Sequence, residues 1–177
     1  FNSMNSVASL ISTDPELAER ALQDLADVFR MLLADARTLV PISVEVELSR
    51  QYLNIEKLRL GDRLQVKWTL SEVPRSTQIP ALTLQPLLEN AVYHGIEPRF
   101  AGGTIHVQLW TDRGTLNIMI SNPLPDSGGQ ARKHGNRIAI ANVLERLQTH
   151  FGRRASMQSV ERSGQYHVSI RLPIVRG

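Results

Sequence analysis

Apolar residues recur at helical spacing through the first third of the chain and mostly alternate afterwards, and this change of period orders the elements. Met4, Val7, Ala8 and Ile11 form one helical stripe between Phe1 and Ile11. Ser12-Thr13-Asp14-Pro15-Glu16 then breaks the helix and opens another: Thr13 reads as the N-cap, Pro15 falls in the first turn, and Glu16 completes a capping box. The second helix runs to about Thr38 with Leu17, Ala21, Leu25, Val28, Leu32 and Leu33 on one stripe, which gives an antiparallel helical pair. Such a pair cannot bury its own apolar stripe, and a second copy completing a four-helix bundle is the natural partner. After Pro41, Ser43 caps a third helix that runs to Leu60, with Leu48, Tyr52, Ile55 and Leu58 on one face and Gly61 as its stop.

Leu64, Val66, Trp68 and Leu70 alternate as a half-buried strand, with Trp68 and Trp110 reading as core or rim. A helix follows over about Leu82 to Ile96, with Pro86 either at its first turn or at a kink. Strands near Thr104–Trp110 and Thr115–Ser121 are joined at Asp112-Arg113-Gly114, and Asn122 to Asn136 is a Pro/Gly/Ser-rich stretch without a period. A helix from Ile138 to Phe151 and strands near Ser156–Val160 and Gln165–Leu172 complete the chain, which contains no internal repeat. Strand, helix, hairpin, loop, helix, hairpin predicts an α+β sandwich with the helices on one sheet face.

The 177 residues are 42% hydrophobic and 21% charged, enough for one compact domain with a helical appendage. The absence of cysteine excludes disulfides and thiolate metal sites and suits a reducing compartment, the cytoplasm. No run of about 18 apolar residues is present to span a bilayer, and no signal pattern opens the chain. The net charge of +3 is scattered without a basic run, so no direct nucleic-acid binding is expected, and phosphate-bearing small ligands suit the mild excess equally well. A start at Phe1, already inside a helix and without an initiating Met, reads as a piece of a longer protein.

The chemistry concentrates in Leu84–Ile96, LQPLLENAVYHGI. Asn90 and His94, four residues apart, share a helix face, with Glu89 and Gln85 on adjoining faces. An Asn carbonyl is a hard oxygen suited to Mg²⁺, an ion that keeps several waters and is held jointly by protein and substrate phosphates. On an anonymous apolar helix the same two residues would read as a core or capping pair. The segment, however, resembles the N box of GHKL ATPases in the form found in LytS/AlgZ-type sensor histidine kinases, Leu-Gln-Pro-Leu-x-Glu-Asn-Ala-x-x-His-Gly. EVELSRQYLNIEKLRLGDRL resembles that family's linker helix, and FNSMNSVASLI resembles the tail of its phosphoacceptor motif. Asn122-Pro123 and His94-Gly95-Ile96-Glu97-Pro98 look like the AlgZ (FimS) branch.

The resemblance implies a Bergerat-type (GHKL) ATP-binding α/β sandwich over residues 41–177, including linker helix 43–60. Residues 1–40 would be part of the dimerisation and histidine-phosphotransfer helices, with the acceptor histidine upstream of Phe1. None of His94, His106, His134, His150 or His167 occupies that place, so no autophosphorylation of the chain as given is expected. Asn90 is the implied Mg²⁺ ligand, Glu89 the group that polarises or orients the attacking nitrogen, and His94 a neighbour of the phosphates. The family's Asp-x-Gly-x-Gly, whose Asp hydrogen-bonds adenine, is Asn122-Pro123-Leu124-Pro125-Asp126 here, so Asn122 takes the Asp's place and Leu124 that of the first glycine. Of the second glycine-rich element, Gly135 to Asn142, the first glycine remains. Arg137 either meets a phosphate at a helix N-terminus or crowds the pocket. Lys133, with Arg132 and His134, either closes over phosphates or is solvated, and Gly102 and Gly103 either line the adenine-side loop or make a plain turn.

The implied protein is a protein-histidine kinase using ATP and Mg²⁺. It would act as a homodimer with a LytTR-type, AlgR-like response regulator, and the parent would lie in the bacterial inner membrane with this region in the cytoplasm. A different class remains open: a degenerate GHKL domain serving as a dimeric docking or phosphatase scaffold with weak nucleotide binding, motivated by the missing glycines.

Overall fold

The computed structural model describes residues 2–32, 38–125 and 133–175, and for residues 2, 3, 6, 31, 32 and 133–139 the backbone alone. Its elements are α1 (Asn2–Leu10), α2 (Pro15–Leu32), β1 (Leu39–Pro41), α3 (Ile42–Leu60), β2 (Leu64–Ser71), β3 (Gln78–Pro80), α4 (Gln85–Asn90, prolonged by a π-helical turn, Ala91–Ile96), β4 (Gly103–Asp112), β5 (Thr115–Pro123), α5 (Lys133–Phe151), β6 (Ser156–Arg162) and β7 (Gln165–Pro173).

Alternation along the strands becomes a single apolar face through the register of a five-stranded sheet, order β2-β4-β5-β7-β6. One row runs Trp68, Val107, Ile120, Val168 across four strands, and the next runs Leu70, Leu109, Ile118, Ile170, Met157. The β2–β4 pair is parallel and the other pairs are antiparallel. The β4–β5 and β6–β7 hairpins turn at Arg113-Gly114 and Ser163-Gly164, each with both φ angles positive, as two-residue hairpin turns require. Helix α3 lies beside β2, α4 with its π turn over β4 and β5, and α5 toward β6 and β7. Leu84, Leu88, Ile96, Ile105, Leu109, Leu116, Ile118 and Leu147 fill the space between the layers, each contributing roughly 1.5–3 kcal/mol by burial. The expected α+β sandwich, helices on one face, is what the chain forms.

Several local expectations are corrected. The N-cap of α2 is Asp14, whose Oδ1 accepts the Leu17 N–H at 3.0 Å, while the Thr13 hydroxyl turns back to the Ser9 and Leu10 carbonyls at the end of α1. Ser43 does not cap α3: the N-cap position is Pro41 without a side-chain bond, and the Ile42 N–H goes to the Thr77 carbonyl at 2.8 Å. Thr38 is a bend outside α2, and residues 33–37 lie outside the described part. Helix α5 begins at Lys133, five residues before the expected Ile138, and β5 runs on to Pro123. The β1–β3 pair carried no sequence period and was not expected. Pro86 sits in the first turn of α4, without a kink there, and Gly61 ends α3 at φ 57°.

The two N-terminal helices do not stand alone, since α1 and α2 both pack on α3 and bury Val7, Ala18, Ala21 and Val28. Met4, Ile11, Leu22 and Phe29 remain exposed on them. No helix among the described residues is long and apolar enough to cross a membrane.

Candidate functional site

Helix α4 is fixed to the sheet by Leu84, Leu87, Leu88, Ala91, Val92 and Ile96, all buried, which leaves its polar residues on the remaining faces. Glu89 is exposed, and Asn90 and His94 are half-buried. Between Ala91 and Ile96 the helix widens into a π turn, with the Glu97 N–H reaching the Val92 carbonyl at 2.9 Å. Such i→i+5 turns are rare and concentrate at functional sites. Gln85, 3% exposed, donates Nε2 to Glu89 Oε1 at 3.1 Å and holds that carboxylate back against the helix. Desolvation there pushes the Glu89 carboxyl above its ordinary range and the charge of Glu56 adds to the rise, against the pull of the Gln85 bond. Desolvation pushes the His94 imidazole down, opposed by Glu97, so His94 is neutral at pH 7. Its ring meets Tyr93 edge-on, centroids 4.9 Å apart.

Strand β5 brings Asn122 to this helix. Asn122 continues the inner row Leu116, Ile118, Ile120 to the open end of the sheet and is 5% exposed. Its Nδ2 donates to the Pro123 carbonyl at 2.9 Å, which aims the amide and leaves Oδ1 as the acceptor. The side chain lies directly on Gly95, where a Cβ would stand 2.2 Å from Nδ2. Glycine follows His94 because no larger residue leaves room for the strand's amide. Gly102 and Gly103 are likewise demanded by packing: Gly102, at φ 66°, abuts the Arg63 carbonyl, and a Cβ on Gly103 would stand 2.5 Å from Pro123 Cγ. Leu124, at the place of the family's first glycine, has both backbone groups engaged within the protein. Its N–H bonds the Gly164 carbonyl at 2.9 Å, and its carbonyl accepts Arg99 Nη1 at 2.8 Å.

The structure thus unites Glu89, Asn90 and His94 on one helix with Asn122 on the adjoining strand. Asn142 is exposed on α5, beside the buried Val143. Lys133, Gly135 and Arg137 fall in the first turns of α5, and their side-chain surroundings lie outside the described part.

Sequence reasoning missed the charged residues that hold this helix in place. Glu45 of α3, 2% exposed, accepts the N–H groups of Leu82, Thr83 and Leu84 at 2.7, 2.9 and 2.9 Å, at the head of α4. Arg146 of α5 donates Nη2 to the Leu82 carbonyl at 2.5 Å. At the far end, Arg59 of α3 bonds Glu56 (Nε to Oε2, 3.1 Å) and also pairs with Glu97 just after the π turn. Tyr52 is half-buried near Glu56 and Glu89, with its phenol pushed well above the ordinary range, mainly by desolvation. For Glu45, Tyr52, Glu56 and Arg59 the signal was their place in the linker-helix motif, which named no role.

A family model for histidine kinases matches residues 1–64. Sensor histidine kinase BtsS of Escherichia coli is 30% identical over 176 residues, 98% of this chain and 31% of that protein. Sensor protein LytS of Streptococcus agalactiae is 32% identical over 164 residues, 86% of this chain and 28% of that protein. The chain therefore spans about a third of the length of the curated relatives it matches. Among solved structures, histidine kinase AdeS of Acinetobacter baumannii has a TM-score of 0.56 at 12% identity, over 94% of this chain and 83% of that one. The catalytic domain of histidine kinase ThkA has a TM-score of 0.56 at 10% identity, over 77% of this chain and 95% of that one. The likeness to these structures identifies the fold as that of histidine kinase catalytic (GHKL) domains. With the motif of α4 seated on that fold and the relatives in sequence, the chain belongs to the LytS-type family of sensor histidine kinases.

Proposed function

We propose that this region holds ATP with Mg²⁺ and passes the γ-phosphoryl to a histidine on the helical segment leading into α1, from which it goes to an aspartate of a response regulator. The observation that carries this reading is the seat formed by Asn122 on Gly95, one residue from His94 and on the same helix as Glu89 and Asn90. A strand amide buried on a glycine, with Oδ1 turned away from its intrastrand bond, fits the recognition of an adenine amino group. Asn90 supplies a hard oxygen for Mg²⁺, and the ion when bound neutralises phosphate charge. Glu89, held by Gln85 and made more basic by desolvation, accepts the proton of the attacking imidazole and orients it. His94, neutral, faces the phosphates without adding charge. Lys133, Gly135, Arg137 and Asn142 bound the phosphate side from α5, with Arg137 reaching a phosphate near that helix's N-terminus.

We divide the chain into dimerisation and phosphotransfer helices to residue 40 and a catalytic domain from 41; β1, pairing with β3, lies on that junction. The exposed Met4, Ile11, Leu22 and Phe29 suit a second copy in a homodimer. The response regulator is of the LytTR, AlgR-like type, and the parent sits in the inner membrane with this region in the cytoplasm. The AlgZ-like branch rests on Asn122-Pro123 and His94–Pro98. A second reading, a docking or phosphatase scaffold with weak nucleotide binding, is favoured by Leu124, whose N–H and carbonyl are both taken within the protein.

Titration calorimetry with Mg²⁺ and a non-hydrolysable ATP analogue, on the chain and on Asn90→Ala, tests the kinase reading together with radiolabel transfer from ATP to an added histidine-bearing helix fragment. Binding weakened by Asn90→Ala, with label transferred, supports it. A folded chain with no binding at millimolar nucleotide hands the site to the scaffold reading.

A further inference from the structure

Helix α4 is gripped at both ends by the same neighbour. At its head the Glu45 carboxylate holds the turn that leads into the helix, taking the N–H groups of Leu82, Thr83 and the N-cap residue Leu84 with its two oxygens. Just past its tail Arg59 ties Glu56 to Glu97. The two grips are fourteen residues apart on α3, and the first meets the head of α4 while the second meets the residue just past its π turn, so the two helices run in the same direction. The head grip also holds a strained residue. Leu82 has φ 59°, a left-handed conformation disfavoured for a side chain of this size, and is held from both sides, its N–H by Glu45 and its carbonyl by Arg146. An ordinary turn residue would have closed this corner without strain. Here the corner is set by a buried carboxylate from α3 and a guanidinium from α5.

We propose that Glu45 is a positioning residue for the nucleotide site, setting through Leu82–Leu84 the placement of the helix that carries Glu89, Asn90 and His94, with Arg146 tying that setting to α5. The inference rests on the kinase reading of this site. Because α1 and α2 pack on α3, the same carboxylate passes a displacement of the N-terminal helices to the Mg²⁺ ligand. Asn122 touches the same helix at Gly95 but is held on β5 by its pairing with β7, so Glu45 acts less on the adenine end of the site than on the Mg²⁺ end.

The test uses the full chain as Glu45→Ala and Glu45→Gln, the latter keeping an acceptor oxygen should the former fail to fold. The first readout is the gain in affinity for a non-hydrolysable ATP analogue on adding Mg²⁺. Glu45→Ala should reduce that gain about tenfold or more while leaving Mg²⁺-free affinity near that of the parent, with Glu45→Gln recovering part of it. A merely structural role would lower the melting temperature and leave the gain unchanged in the folded protein. The second readout needs no nucleotide: amide exchange across Leu87–His94 should quicken in Glu45→Ala while β5 and β7 keep their protection. An unchanged Mg²⁺ gain with the parent binding normally overturns the proposal and leaves the kinase reading standing. Failure of the parent itself to bind overturns the kinase reading, and exchange across α4 then decides alone whether Glu45 sets the helix, unchanged exchange refuting it.

Discussion

Gly95→Ala separates two effects of opposite sign. In an ordinary helix the change favours the folded state by about 0.5–1 kcal/mol, because alanine loses less backbone entropy. At this position the new Cβ would stand 2.2 Å from Asn122 Nδ2, 2.8 Å from its Cγ and 2.9 Å from its Cβ, against 3.4 Å for ordinary contact. The neighbour cannot simply lean away: Asn122 is in a paired strand, buried, and bonded to the Pro123 carbonyl. Rotating it off its rotamer costs about 0.5–1.5 kcal/mol, and the lost hydrogen bond costs about as much again. Overpacking of about 1–3 kcal/mol therefore outweighs the helix gain, and the net loss of about 1–2 kcal/mol should lower Tm by roughly 2–8 °C. Nucleotide affinity should fall about three- to tenfold as Asn122, the proposed adenine acceptor, moves. Urea and thermal unfolding of Gly95→Ala would be run beside the same change in an Asn122→Ala background, where the two nearest atoms are gone and 2.9 Å is the tightest remaining approach. There the substitution should cost less than in the parent, the 2.9 Å approach to the remaining Cβ keeping part of the strain, with a coupling of about 1 kcal/mol. Should Gly95→Ala raise Tm in the parent, or cost the same in both backgrounds, the seat described for Asn122 is wrong.

Asp14→Ala should destabilise α2 by about 1 kcal/mol in helix melting followed by circular dichroism, while Thr13→Ala stays within a few tenths; equal effects would void the cap assignment. Glu89 has a folded pKa above its ordinary 4.5, so its contribution is favourable below that value and is lost as pH rises through the folded value. Glu89→Gln should thus match the parent near pH 4, gain a few tenths of a kcal/mol at pH 7, and still reduce phosphoryl transfer by about a hundredfold. A stability loss at pH 7 would contradict the sign. His94 has a folded pKa below 6.5, so its stabilising share is present above 6.5 and is lost as pH falls through the folded value. Denaturation of His94→Asn between pH 7 and 5 should show a shallower loss than the parent, and parallel curves would refute it.

The sheet was legible because one face is covered and the other is not, so each strand printed its alternation directly: Val66, Trp68 and Leu70, or Ile105, Val107 and Leu109. Helix α4 was legible for the same reason, joined to a motif that fixes Glu89, Asn90 and His94. The cap of α2 was missed by one residue because Thr13 and Asp14 are both competent caps, and only backbone geometry chooses between them. β1 and β3 are three residues each, too short to carry a period.

Helix α3 shows why the remainder was hidden. Its expected face, Leu48, Tyr52, Ile55 and Leu58, was found by looking for apolar repeats, yet the residues buried along it are Ile42, Glu45, Ser49, Leu53, Ile55, Glu56 and Leu60. It is covered on more than one side, by α2 as well as by α4 and β2, so no single stripe describes it. Two of its buried residues are carboxylates, which periodicity analysis assigns to solvent because an unpartnered buried charge is prohibitively costly. Glu45 has partners brought from far along the chain, three N–H groups at residues 82–84, and Glu56 pairs with Arg59 one turn on, which is itself bonded to the distant Glu97. Those partners exist only once the fold has formed, and pattern reading therefore fails where burial is justified by distant polar groups. In this protein the failure falls on the helix that supports the candidate site, the place where local rules are expected to give way to function.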